Sequence, residues 1–357
     1  MARSLCGQLQ TDLRTLSNAA TTANYKPVKE AAECGLLKLK TILTSDVKVS
    51  KDGNADKPLY KLLKQNCGSL LQPFLLGLDT KHAAIMASAF MSIQRILSHG
   101  IIDTSSANNI MSALLAISEN SNLQRSIGFS IPFLSGRQTS AALSMMSDDG
   151  TDHDLSDDNI HNRVVNSSST TLNAKYNDPV RLLQIILILI STTNSLKEKP
   201  LATALSLCFK YKNTLEATVK TTASATIRQN CLSIFERVKQ EDEQTKGKSI
   251  SKHKSLSILN EKDESAGHEQ DSVINQIIMN QLFPAAKDAF QLFRDLVNLV
   301  MKRPCLWLKN VQHESGDMQA YAIELIEHIV GNFPQIFKGV GFWRVRLVKR
   351  VFEGSRE

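Results

Sequence analysis

Leu5, Leu9, Leu13 and Leu16 return every three or four residues, the interval that gathers side chains on one face of an α-helix. Val28, Ala32, Leu36, Leu39 and Leu43 repeat the pattern after Pro27, a residue suited to the first helical turn. The chain therefore opens with two predicted amphipathic helices. Residues 58–78 carry a third apolar stripe, Leu59, Leu62, Leu63, Leu70, Leu71, Phe74 and Leu75, which Pro73 is expected to kink or divide. Thr80 reads as the N-cap of a helix through Ile85, Ala89, Ile93 and Leu97, ending at Gly100 in the left-handed position after its C-cap. The next predicted helix spans 105–119 with Ile110, Leu114 and Ile117 inward.

Residues 126–177 lose the period. They are rich in Ser, Thr, Asn and Asp, with six aspartates between Asp148 and Asp158, and read as a long disordered insertion. Helical signal resumes at Asp178, a good N-cap, with Pro179 behind it and the run Leu182 to Ile190, apolar on nearly every side and hence a central buried helix. Two further stripes cover 200–212 (Leu201, Leu205, Phe209) and 221–243 (Ile227, Cys231, Ile234, Val238). A charged, Ser- and Lys-rich linker follows over 244–270. A second helical unit begins near Asp271, is interrupted by Pro284, and continues through Ala286, Phe290, Phe293, Val297 and Val300, then through Tyr321, Leu325 and Ile329 to Gly331.

No segment alternates with period two, so the expected fold is all-α, an armadillo- or HEAT-like helical solenoid carrying the long insertion. A hydrophobic content of 42% with only 6% aromatic residues suits Leu-, Ile- and Ala-rich helix packing. Four of the seven net positive charges fall in residues 338–357, so the basic balance belongs to a tail and not to the helices. The most apolar run, Leu182 to Ile190, is too short to span a bilayer, which takes about 20 residues, and the N-terminus lacks an unbroken apolar core, so any membrane association is expected to be peripheral. Cys6, Cys34, Cys67, Cys208, Cys231 and Cys305 are scattered without metal-ligand spacing and read as buried or half-buried free thiols of a reducing, cytosolic setting.

Candidate chemistry fails on spacing. Gly247 to Ser249 spell the end of a phosphate loop, but its required first glycine is Asp242. His313-Glu314 opens like a zinc-protease helix, but Asp317 stands where the second His is needed. Glu327 and His328 are adjacent on a helix and cannot face one another. His82 and His99 lie at helix ends, and the aspartate cluster lacks the Gly and Glu of a calcium loop. Phe342, Trp343, Arg344 and Arg346 have no helical platform to present them to nucleic acid, so no nucleic-acid role is expected. Arg95, Arg228 and Arg237 stand as either docking anchors or solvated helix faces. No catalytic, cofactor-binding or metal-binding residue is assigned.

Longer stretches carry a family resemblance. PVKEAAECGLLKLK (27–40), QPFLLGLDTK (72–81), SIQRILSHGII (92–102), LLQIILILISTTNSL (182–196), TASATIRQ (222–229), FERVKQEDE (235–243), AKDAFQLFRDL (286–296) and IELIEHIVGNFPQIF (323–337) are similar, in the same order, to the Mon-two family. That family is related to the large Arf guanine nucleotide exchange factors. The resemblance implies a dimerisation and cyclophilin-binding (DCB) domain over 1–243, then the start of a homology-upstream (HUS) domain over 271–337. It further implies a non-enzymatic, dimeric scaffold, cytoplasmic and peripheral on trans-Golgi and early endosomal membranes. Its partners would be a Dopey-family protein, an aminophospholipid flippase and Arf-like GTPases. A role as a regulatory segment of an exchange factor is the alternative. After Phe337 the likeness stops, and 338–357 reads as an aberrant basic tail.

Overall fold

The computed structural model describes residues 2–49, 56–127, 179–192, 194–246, 282–311 and 315–339. All regular structure among the described residues is helical: α1 (Ala2–Thr22), α2 (Lys26–Val49), α3 (Asp56–Gln65), α4 (Cys67–Asp79), α5 (Ala83–Ser98), α6 (Thr104–Ile127), α7 (179–192), α8 (Glu198–Lys212), α9 (Ala217–Lys246), α10 (Pro284–Val300), α11 (Gly316–Asn332) and α12 (Pro334–Gly339). The expected insertion and tail lie outside the described residues, apart from the first two positions of the one and the first two of the other.

Each helix packs on neighbours close to it in sequence. α1 rests on α2, α3 and α5; α4 links α2, α5 and α6; α6 meets α8; α9 joins α8 to α10 and α11. This nearest-neighbour stacking is the solenoid that the periodicity predicts. The predicted stripes supply the core, with Leu5, Leu9, Leu13 and Leu16 of α1 at most 1% exposed. In α7, Leu182, Leu183, Ile185, Ile186, Leu189 and Ile190 are buried while Gln184 faces out, so the apolar run is indeed an interior helix.

The ends of helices depart from the sequence reading. The chain divides at Asn66, between α3 and α4, and Pro73 sits buried inside α4. Asn66 turns its side-chain amide back onto the Leu62 carbonyl at 2.8 Å, a local bond that competes with helix continuation. Thr80 is the C-cap of α4, its hydroxyl donating to the Gly77 carbonyl at 2.8 Å, and His82 takes the N-cap position of α5. Gly100 adopts φ +67 after the C-cap of α5, as its position predicted.

Two caps escaped the sequence reading. Asn24 at φ 60 closes α1 with paired bonds, Tyr25 N to Ala20 O at 2.8 Å and Asn24 N to Thr21 O at 3.2 Å, a Schellman ending. Asp103 caps α6, accepting the Ser106 amide at 2.9 Å, and its hydrogen bond with the Ser106 side chain, helped by that amide, holds its carboxyl below the usual range. α9 is longer than expected at both ends, running to Lys246 into the predicted linker. Pro284 opens α10 at its first position, where its missing N–H has no cost.

The later helices lock onto α9 through aromatic rings. Phe235 lies 6.3 Å from Phe293, 5.9 Å from Phe333 and 6.0 Å from Phe337 between ring centres. Tyr321 of α11 donates to the Ser224 carbonyl of α9 at 2.7 Å, while the Lys212 ammonium sits 4.3 Å over its ring.

Candidate protein-interaction groove

The main convergence of ionisable groups lies where α7, α8, α9 and α10 meet. Arg237 and Glu241, one turn apart on α9, face Asp288 of α10 across a cavity of about 120 Å³. Arg237 donates to the Leu196 carbonyl at 3.1 Å and to the Ile190 carbonyl, so it serves the C-terminal end of α7. Asp288 accepts the Glu198 amide at 3.0 Å and Glu241 accepts the Ala285 amide at 3.1 Å, each at the N-terminus of a helix on which it packs. Burial pushes Asp288 up to about 6, raises Glu241 and lowers Arg237. A substrate cavity ordinarily exceeds about 300 Å³. Here the charged groups cap helix ends that would otherwise leave backbone groups unpaired, and their chemistry is structural.

A wider groove, about 840 Å³, opens on the other side of α8. Leu115 and Glu119 of α6, Ala202, Ser206, Leu207 and Lys210 of α8, Lys287 and Gln291 of α10 and the 306–310 segment line it. That segment has no helical period, and two side chains hold it, Asp295 foremost. Asp295, fully buried on α10, accepts the amides of Leu306 at 3.1 Å, Trp307 at 2.7 Å and Leu308 at 2.7 Å. The Arg294 guanidinium stands 3.7 Å from the same carboxylate. Ser206 adds a second tie, accepting the Lys309 amide at 2.9 Å. The result is a fixed loop that buries Trp307 and leaves Leu306 68% exposed.

The sequence reading missed this groove. Its trace was present, because Asp295 stands on the same face of α10 as Leu292 and Leu299, a carboxylate, like Asp288 two turns earlier, set in an apolar stripe.

The sequence candidates do not gather there. Gly247 to Ser249, His313-Glu314 and the Phe342 to Arg346 stretch lie outside the described residues. His82 meets the Tyr25 ring edge-on at 6.1 Å, and His99 is the C-cap of α5. On α11 Glu327 is exposed and His328 half-buried, and Asn332 donates to the His328 carbonyl at 2.7 Å. Arg95 pairs with Asp12 of α1, Arg228 lies 3.6 Å from Glu324, and Arg237 is the interior cap already described, which corrects both of its readings, docking anchor and solvated helix face. All six cysteines are free thiols, and Cys34 departs from the expected burial because it faces outward from α2. No group of His, Cys, Asp and Glu among the described residues could hold a metal ion. No helix among them is long and apolar enough to cross a membrane.

Fold and groove together define the class: an α-solenoid, an architecture that offers extended grooves for binding other macromolecules. The chain belongs to the DCB family, described as the Mon2/Sec7/BIG1-like dimerisation and cyclophilin-binding domain, whose pattern matches residues 1–127 and 137–242. It is similar to Protein MON2 homolog of Homo sapiens, at 27% identity over 94% of this chain and 15% of the relative. Protein MON2 homolog of Drosophila melanogaster is 26% identical over 96% of this chain and 15% of its own length. Monensin-resistant homolog 2 of Caenorhabditis elegans is 24% identical over 94% of this chain and 16% of its own length. The chain thus spans about 15% of the length of the curated relatives it matches. No solved structure matches it.

Proposed function

We propose that this chain is a non-catalytic scaffold segment acting in Golgi–endosome membrane trafficking and protein transport, through dimerisation and partner binding. The carrying observation is the DCB family match across both helical blocks on either side of the insertion, in a molecule whose convergent charges serve as helix caps. The resemblance adds a division into a DCB unit over 1–243 and the start of a HUS unit over 271–337. It also adds peripheral attachment to trans-Golgi and early endosomal membranes, and work with a Dopey-family protein, an aminophospholipid flippase and Arf-like GTPases.

Dimerisation needs an apolar surface on the DCB unit. Leu37 of α2 at 67% exposure and Met91 of α5 at 57% are large apolar side chains left open there. Light scattering on the eluting peak tests the reading: the chain at tens of micromolar should run at twice its monomer mass, and Leu37→Asp with Met91→Asp should shift it to monomer. A strict monomer for the unaltered chain refutes the dimer.

A second reading, a regulatory segment for an Arf exchange factor, is favoured by the Sec7-like members that share the family description. Its test is the rate of nucleotide exchange by a relative's exchange domain with and without this chain added, which the scaffold reading leaves unchanged.

A further inference from the structure

We propose that the groove between α6, α8, α10 and the 306–310 segment docks an acidic peptide of a partner protein, one that carries a bulky apolar side chain to seat beside Leu306. The inference rests on the scaffold reading and gives one of its surfaces a chemistry.

Three observations meet at the site. The first is shape: about 840 Å³ is room for a large side chain with its flanking backbone. The second is exposed apolar surface: Leu306 stands 68% exposed at the rim, with Leu115, Ala202 and Leu207 contributing apolar lining behind it. An isolated exposed leucine is ordinary, but one at the rim of a partly apolar groove is a contact waiting for a partner. The third is charge. Lys199, Lys210, Lys287 and Lys309 line the groove against only Glu119 and Glu198. Lys210 is engaged with Ser118, its ammonium 2.8 Å from the hydroxyl, which leaves Lys199, Lys287 and Lys309 as the groups that meet an incoming carboxylate. An excess of positive charge around an apolar centre selects a peptide with acidic flanks and steers its approach.

The loop that carries Leu306 is already fixed by the Asp295 carboxylate and by Ser206. A partner therefore need not order it on binding, and that entropy is saved. Nucleic acid fits less well, because Trp307 is only 8% exposed and offers no face on which a base could stack.

The test is fluorescence anisotropy on the full chain with a labelled synthetic peptide containing several Asp and Glu around one Leu and one Phe. Controls are the same peptide with both apolar residues changed to Ser, and a single-stranded oligonucleotide. Saturable binding is expected, weakened roughly tenfold by Lys199→Glu with Lys287→Glu and similarly by Leu306→Ser, with helical content unchanged because these side chains are not core. The idea is overturned if the peptide does not bind, or if neither variant weakens it. It is equally overturned if the Ser control or the oligonucleotide binds as tightly, which marks plain polyanion attraction. A probe that binds only when the chain is diluted to monomer overturns it as well, because the groove is then the contact between two copies. Molecular mass measured on the same samples separates the outcomes: a dimer that ignores the peptide sinks the groove and spares the dimeric scaffold, and a monomer that binds it sinks the dimer and spares the groove.

Discussion

Replacing Asp295 by Ala removes the one side chain that holds residues 306–308. Its carboxylate is fully buried and accepts three amides, at 3.1, 2.7 and 2.7 Å. Leu306 is largely exposed, so its N–H can return to water. Trp307 and Leu308 are 8% and 1% exposed, and their amides would be left without an acceptor. A buried donor left unpaired costs about 1–3 kcal/mol, so two such groups give a loss of about 2–6 kcal/mol. Removing a buried carboxylate also relieves its desolvation, which places the expected loss near the lower half, about 3 kcal/mol. Asp295→Asn keeps one acceptor oxygen and should lose about half as much. The assay is urea unfolding followed by Trp307 emission in a Trp343→Phe background, where about 3 kcal/mol lowers the midpoint by roughly 1 M. The reasoning is refuted if Asp295→Ala unfolds within about 0.5 kcal/mol of the parent, since the loop would then be held by packing alone.

Three other outcomes follow from the same structure. A Cβ on Gly77 would stand 3.3 Å from both Ala89 Cβ and Ile85 Cγ2 where α4 crosses α5, so Gly77→Val should cost about 1–3 kcal/mol in thermal or urea unfolding, and a neutral result would show that the two helices can part freely. Asp288, pushed up to about 6 from an ordinary 3.8, gives the folded chain a proton that the unfolded chain lacks between those values; its burial therefore costs stability above pH 6, a cost relieved as pH falls toward 4. Asp288→Asn keeps an acceptor for the Glu198 amide and should flatten that part of the pH profile of the urea midpoint, whereas an unchanged profile counts against the assignment. Of the six thiols, Cys34 is exposed, while burial pushes Cys67 to about 11 and Cys231 and Cys305 to about 12 and raises Cys208 further, so a thiol reagent at pH 8 should modify one cysteine quickly and the others only on unfolding.

Local pattern determined the elements of this protein. Leu5, Leu9, Leu13 and Leu16 sit on one helix face whatever they pack against, and the run from Leu182 to Ile190 has to be interior because Gln184 is its one polar side chain and every other direction is apolar. Gly100 was legible for a similar reason: its conformational freedom belongs to the residue itself.

What tertiary structure decided lies at the helix ends and between helices. Pro73 was expected to kink or divide the 58–78 stripe, but the break came at Asn66, because burial of Leu70, Leu71 and Phe74 on either side of the proline outweighs the lost backbone bond. Asp288, Glu241 and Arg237 are the charged groups of the interior cluster. Each meets its backbone partner some 40 to 90 residues away in the chain, a pairing that no local period encodes. The groove is the extreme case: its walls come from four separate segments, and its irregular rim exists only because Asp295 was folded beneath it. Periodicity reports which side of a helix avoids water, and only the packed chain reports which neighbour covers it and which gap is left open.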